Sequence, residues 1–96
     1  MDIKIIASGS KGNCLLVDDG ASPLLLECGV PLQKIRRGIL PLSFSDIKIC
    51  LITHTHRDHS MSMSTVLSMG IPVYMPRHTA ESYGVENDID AVIVKP

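Results

Sequence analysis

Ile47-Lys48-Ile49-Cys50-Leu51-Ile52-Thr53-His54-Thr55-His56-Arg57-Asp58-His59 is the stretch whose reading decides the fold. Its first half is apolar apart from Lys48, as expected for a buried strand over Ile47–Thr53 covered on both faces. Its second half holds three of the chain's four histidines, with one aspartate. Side chains alternate along a strand, so His54 and His56 are expected to project together and pinch one ion. Asp58 and His59 follow where the chain must bend, placed for a second ion beside the first. Isolated surface histidines near a carboxylate are common. Three His and one Asp within six residues, directly after an apolar strand, instead follow zinc-ligand rules. The mixed nitrogen and oxygen ligands suit zinc, manganese or iron.

The segments around this stretch alternate in type. Ile3–Ala7 reads as a strand that enters the polar loop Ser8-Gly9-Ser10-Lys11-Gly12-Asn13. That loop lacks the Gly-Lys-Ser/Thr ending of a phosphate-binding Walker loop. It reads either as a plain turn or as a loop contacting a ligand through its N–H groups. Cys14–Val17 and Leu24–Glu27 flank Asp18–Pro23, whose Asp-Gly step marks an antiparallel hairpin. Leu32, Ile35 and Ile39 recur at helical spacing, predicting a helix over Pro31–Leu40. Lys34, Arg36 and Arg37 form its solvated face.

Ser43–Asp46 reads as a loop. A second helix is expected over Met61–Met69, capped by Ser60 or Ser62 and closed by Gly70, its methionines filling core gaps. Ile71–Met75 reads as a strand, His78–Tyr83 as a short helix, Val85–Asp90 as an acidic loop and Ala91–Lys95 as a final strand. His78 stands alone as an ordinary surface residue. Helices separated by strands place the chain in the α/β class, with helices packed on a mixed sheet.

Thr53-His54-Thr55-His56-Arg57-Asp58-His59 resembles the metal-binding signature of the metallo-β-lactamase superfamily, and the resemblance extends over nearly the whole chain. It implies the N-terminal half of an αβ/βα sandwich, residues 1–96 forming a single half-domain. His54 and His56 would hold one metal, and Asp58 and His59 the other, the pair being zinc with manganese or iron as alternatives. Asp58 would be catalytic, orienting a hydroxide made from a shared water and taking its proton. Ser8-Gly9-Ser10-Lys11-Gly12-Asn13 and Leu25-Leu26-Glu27-Cys28-Gly29 are similar to a bacterial and phage subgroup related to DNA exonucleases and cyclic-nucleotide hydrolases, which implies phosphodiester hydrolysis.

The alternatives are another ester class, such as thioester or lactone hydrolysis, or a non-catalytic metal-binding half-domain. The chain departs from the family pattern in two places: Ser62 replaces a frequent Gly, and Glu27 replaces the usual Asp, which would shift the hydrogen bonds that aim the ligands. The family's later ligands, a His, a bridging Asp and a last His, have no counterpart. The resemblance therefore implies completion by a second half or a partner chain, a homo-oligomer being one form.

Composition excludes several other classes. Ninety-six residues make one small domain at most. Hydrophobic content of 45% and mean hydropathy of +0.23 indicate a folded chain. Phe44, Tyr74 and Tyr83 are the only aromatics of the Phe, Trp and Tyr type, too few for a base-stacking platform. A net charge of −1 gives no global attraction to nucleic acid. Cys14, Cys28 and Cys50 are odd in number, unpaired by spacing and set in apolar runs. They read as free buried thiols suited to a reducing cytoplasm. The start of the chain lacks a signal-peptide layout, and the apolar runs are too short to span a bilayer.

Overall fold

The computed structural model describes residues 1–95. Six strands form one mixed sheet in sequence order: β1 (Asp2–Ala7), β2 (Cys14–Asp18), β3 (Leu24–Leu26), β4 (Ile49–Leu51), β5 (Val73–Pro76) and β6 (Ala91–Val94). β1, β2 and β3 pair antiparallel, and β3 through β6 pair parallel. The expected hairpin is present, with Leu15 opposite Leu26 and Val17 opposite Leu24. Gly20 supplies the positive φ its turn needs.

Parallel strands need crossovers, here made by α1 (Leu32–Ile39), by α2 (Arg57–Ser60) with α3 (Met63–Ser68), and by α4 (Arg77–Tyr83). Such crossovers are right-handed, and all three advance toward β6, so the helices fall on one face of the sheet. That face carries the core: Cys14, Leu16, Leu25, Cys50, Val73 and Met75 are buried beneath Ile35, Ile39, Met63, Val66 and Ala80.

The opposite face is also apolar but is not covered by these helices. Ile3, Ile5, Leu15, Val17, Leu24, Leu26, Ile49, Leu51 and Tyr74 lie along it, half-buried or exposed. β4, expected to be covered on both faces, is covered on one.

Two other expectations are corrected. Regular strand structure in β4 spans only Ile49–Leu51, because a 3₁₀ turn at Phe44–Asp46, closed by a Ser43/Asp46 capping box, occupies the preceding segment. The helix expected over Met61–Met69 starts earlier, at Arg57, and is broken between Ser60 and Met63. The cause is a tertiary intrusion. The Asp58 carbonyl accepts from Asn13 N–H at 2.7 Å, and the His59 carbonyl from Cys28 N–H at 2.9 Å. Ser62 N–H, the natural helical partner of the Asp58 carbonyl, donates to the Cys28 carbonyl at 2.9 Å.

Neither serine caps a helix through its side chain. Ser62 Oγ–H is spent on the Val30 carbonyl at 2.6 Å. Ser60 Oγ lies 2.9 Å from the Thr55 carbonyl.

The intrusion requires Gly29. A Cβ there would overlap the Asp58 carbonyl, and one at Gly12 would lie 2.6 Å from the Gly29 carbonyl oxygen. Gly29→Ala is expected to cost about 3 kcal/mol in urea unfolding, the upper range for overpacking. Gly84→Ala, at a helix end with φ +67° and open space around it, is expected to cost about 1 kcal/mol. Equal costs would contradict the close approach.

The three cysteines are free and buried. Burial, followed by the nearby Cys28 thiol and Glu27 carboxylate, pushes the Cys14 thiol from 9.0 up to about 12. A contact with Cys28, then burial, raises the Cys50 thiol as well. A raised folded-state value means that the folded chain keeps its proton after the unfolded chain has lost it. Stability from Cys14 is thus complete below pH 9.0 and lost as pH rises toward about 12. Denaturation midpoints measured across that interval are expected to fall, and Cys14→Ala is expected to flatten the slope.

Candidate metal centre

The carboxyl ends of β3 and β4 bring the ionisable residues together. Glu27 follows β3 directly and is the one non-glycine residue with positive φ (67°) among those described. This turn leaves its N–H on the Leu51 carbonyl at 2.8 Å and buries its side chain under the exit of β4. Its Oε1 accepts Thr53 N–H at 2.7 Å and Thr53 Oγ–H at 3.0 Å. Its Oε2 pairs with His59 Nδ1. Thr53 Oγ1 also lies 2.8 Å from His54 Nδ1.

The four residues singled out by sequence fall on one short arc. His54 and His56 are exposed, while Asp58 and His59 are half-buried. The His54 ring centroid lies 4.6 Å from that of His59 and 6.5 Å from that of His56. His54 thus stands nearer His59 than the histidine expected to share its ion. The reason is the early helix: His56 is the residue that caps α2, and the turn after it brings His59 back toward the end of β4. Asp58 Oδ2 is 3.5 Å from His59 Nε2.

Among the described residues, Glu27, His54 and His59 form the one group whose ligand atoms all lie within 4.8 Å of one another. Two imidazoles with adjacent carboxylates suit a borderline divalent cation. His56 and Asp58 stand beside this group rather than in it. Reading Glu27 as a residue that aims ligands followed from sequence; its direct contacts to both Thr53 and His59 required the fold.

The supports for this arc were less visible in sequence. Ser60 Oγ lies 2.7 Å from Tyr83 Oη and within 3.0 Å of the carbonyls of Thr55 and His56. Thr55 Oγ1 lies 2.8 Å from Thr79 Oγ1. Helix α4 therefore braces the histidine segment from behind.

Asn13 braces it from the other side, its Nδ2 donating to the Asp58 carbonyl at 3.1 Å and to the Gly9 carbonyl at 2.9 Å. Gly9 N–H is bound to Asn13 Oδ1, Gly12 N–H to the Gly9 carbonyl and Asn13 N–H to the Asp58 carbonyl. With those three N–H groups spent, the Ser8–Asn13 loop is a brace more than a ligand cradle. His78 lies outside the centre, on a separate cleft of about 650 Å³ with Arg77, Ile93 and Lys95.

Solved structures with this architecture are metallo-β-lactamase fold proteins. The Bacillus subtilis metallo-β-lactamase fold protein YhfI matches 98% of this chain with a TM-score of 0.73 and 19% identity. A B3 metallo-β-lactamase with an active-site glutamic acid matches 82% with a TM-score of 0.68 and 25% identity. The chemotaxis sensor ODP, described with a peroxy diiron species, matches 96% with a TM-score of 0.77 and 15% identity. The fold is therefore that of the metallo-β-lactamase proteins, in part. The chain spans 45%, 31% and 40% of those three structures, respectively. No family model and no curated protein matches the sequence.

Ser60→Ala and Tyr83→Phe are each expected to lower stability by about 1 kcal/mol, the net worth of one hydrogen bond. The double variant is expected to cost less than the sum, because both remove the same contact. Strict additivity in urea unfolding would mean that α4 does not brace the histidine segment.

Proposed function

We propose that this chain is a single half-domain, residues 1–96, supplying the metal-binding part of a metal-dependent hydrolase. The observation that carries the reading is the convergence of His54, His59 and Glu27 within 4.8 Å at the carboxyl ends of β3 and β4, inside a metallo-β-lactamase fold. His54, His56, Asp58 and His59 are the proposed ligands. Zinc, as two ions in the completed site, is the preferred metal, with manganese or iron compatible with the same donors. A cation bound there supplies Lewis acidity toward the substrate and makes water acidic enough to ionise near neutral pH. His54 and His59 orient the site, and the half-buried Asp58 carboxylate takes the proton of the attacking water at Oδ2.

The substrate class proposed is a phosphodiester, in nucleic acid or a cyclic nucleotide. It rests on the likeness of Ser8–Asn13 to the phosphodiesterase and exonuclease subgroup, with exposed Lys11 on that loop offering a cation to the anionic substrate. The remaining ligands would come from a second half or a partner chain, a second copy included. Three free thiols favour a reducing cytoplasm. Among the described residues, no helix is long and apolar enough to cross a membrane.

Zinc titration by calorimetry is expected to give micromolar or tighter binding, lost in His54→Ala and His59→Ala and weakened in His56→Ala. Millimolar binding would favour a non-catalytic remnant. With zinc or manganese, hydrolysis of bis-p-nitrophenyl phosphate is expected over that of a thioester probe. The reverse preference would move the assignment to another ester class.

A further inference from the structure

The proposed metal reading leaves open which nitrogen each imidazole presents, and whether Glu27 is a ligand. Glu27 makes three contacts at this site. An ionised carboxylate only accepts hydrogen bonds. Thr53 Oγ1 sits 3.0 Å from Glu27 Oε1, and the single hydroxyl proton must lie between these oxygens, since two lone pairs at that distance repel. Thr53 Oγ1 then has only lone pairs left for His54 Nδ1, 2.8 Å away, so that nitrogen carries the proton. On the other side, Glu27 Oε2 faces His59 Nδ1, which must likewise be the protonated nitrogen.

We infer that Glu27, directly at His59 and through Thr53 at His54, locks both imidazoles in the Nδ1–H tautomer and leaves both Nε2 lone pairs to the cation. Glu27 is thus a positioning residue, not a third ligand. Its oxygens are occupied by the two Thr53 donors and His59. Thr53, which carries no metal-binding chemistry of its own, is the relay. The inference rests on the metal reading only for its purpose; the tautomers themselves are a property of the metal-free chain.

Nitrogen-15 NMR of the metal-free chain, with both rings neutral, reads the tautomers directly. The wild-type chain is expected to show His54 and His59 protonated at Nδ1. Thr53→Val keeps the shape of the side chain but removes the hydroxyl, and is expected to release His54 toward the Nε2–H form while His59 stays locked. Thr53→Ser is expected to restore the wild-type pattern. His54 protonated at Nε2 in the wild type, or unchanged in Thr53→Val, would overturn the relay.

Calorimetric zinc affinity is expected to fall about tenfold or more in Thr53→Val and to recover in Thr53→Ser. Equal affinity in all three would overturn the claim that the tautomer matters to binding. A chain that binds no zinc in any form would overturn the metal reading and leave the tautomer result to judge the relay alone.

Discussion

Two backbone carbonyls, those of Asp58 and His59, hold the architecture of the centre together. In an uninterrupted helix they would accept from residues four positions on. Here they accept from Asn13 and Cys28, donors on the opening loop and on the turn after β3. Three segments distant in sequence therefore meet at one helical turn. The approach is possible because Gly29, where they cross, has no side chain and Gly12 leaves room behind it. The exchange keeps hydrogen bonds in being while converting local bonds into long-range ones, so the histidine segment cannot shift without disturbing the β2–β3 hairpin.

Glu27 acts on the same segment through its side chain. A left-handed backbone costs a non-glycine residue about 1–2 kcal/mol. Three hydrogen bonds to a charged acceptor, at about 1.5–3 kcal/mol each, exceed that cost and leave a margin against desolvation of the carboxylate. The backbone strain and the contacts belong together. The sharp turn after β3 aims the carboxylate across the end of β4, where one oxygen meets Thr53 and the other His59. Glutamate at this position, where the related proteins usually have aspartate, serves both contacts from one side chain.

The fold class was legible from periodicity alone. The hairpin, the helix near Pro31–Leu40 and the strands around Cys50 and Val73 follow from alternation, helical spacing and turn residues. The broken helix was not. Arg57–Ser60 carries polar and metal-ligating side chains, and the break after Ser60 depends on Asn13 and Cys28, far away in sequence. The uncovered apolar face was also hidden, because a strand that is apolar on both sides reads as covered on both sides. Only the common direction of the three crossovers shows that the helices lie on one face.

By itself the sequence determined the donor inventory: three imidazoles and a carboxylate in six residues, released from the end of an apolar strand. Composition and spacing suffice for that, because ligand chemistry is a property of side chains and strand ends can be read locally. The tertiary structure decided how those donors are grouped. It turned His59 back toward His54, brought Glu27 beneath both, and assigned Ser60, Tyr83 and Asn13 to bracing. Those arrangements rest on hydrogen bonds between residues tens of positions apart, and no local pattern records such pairings.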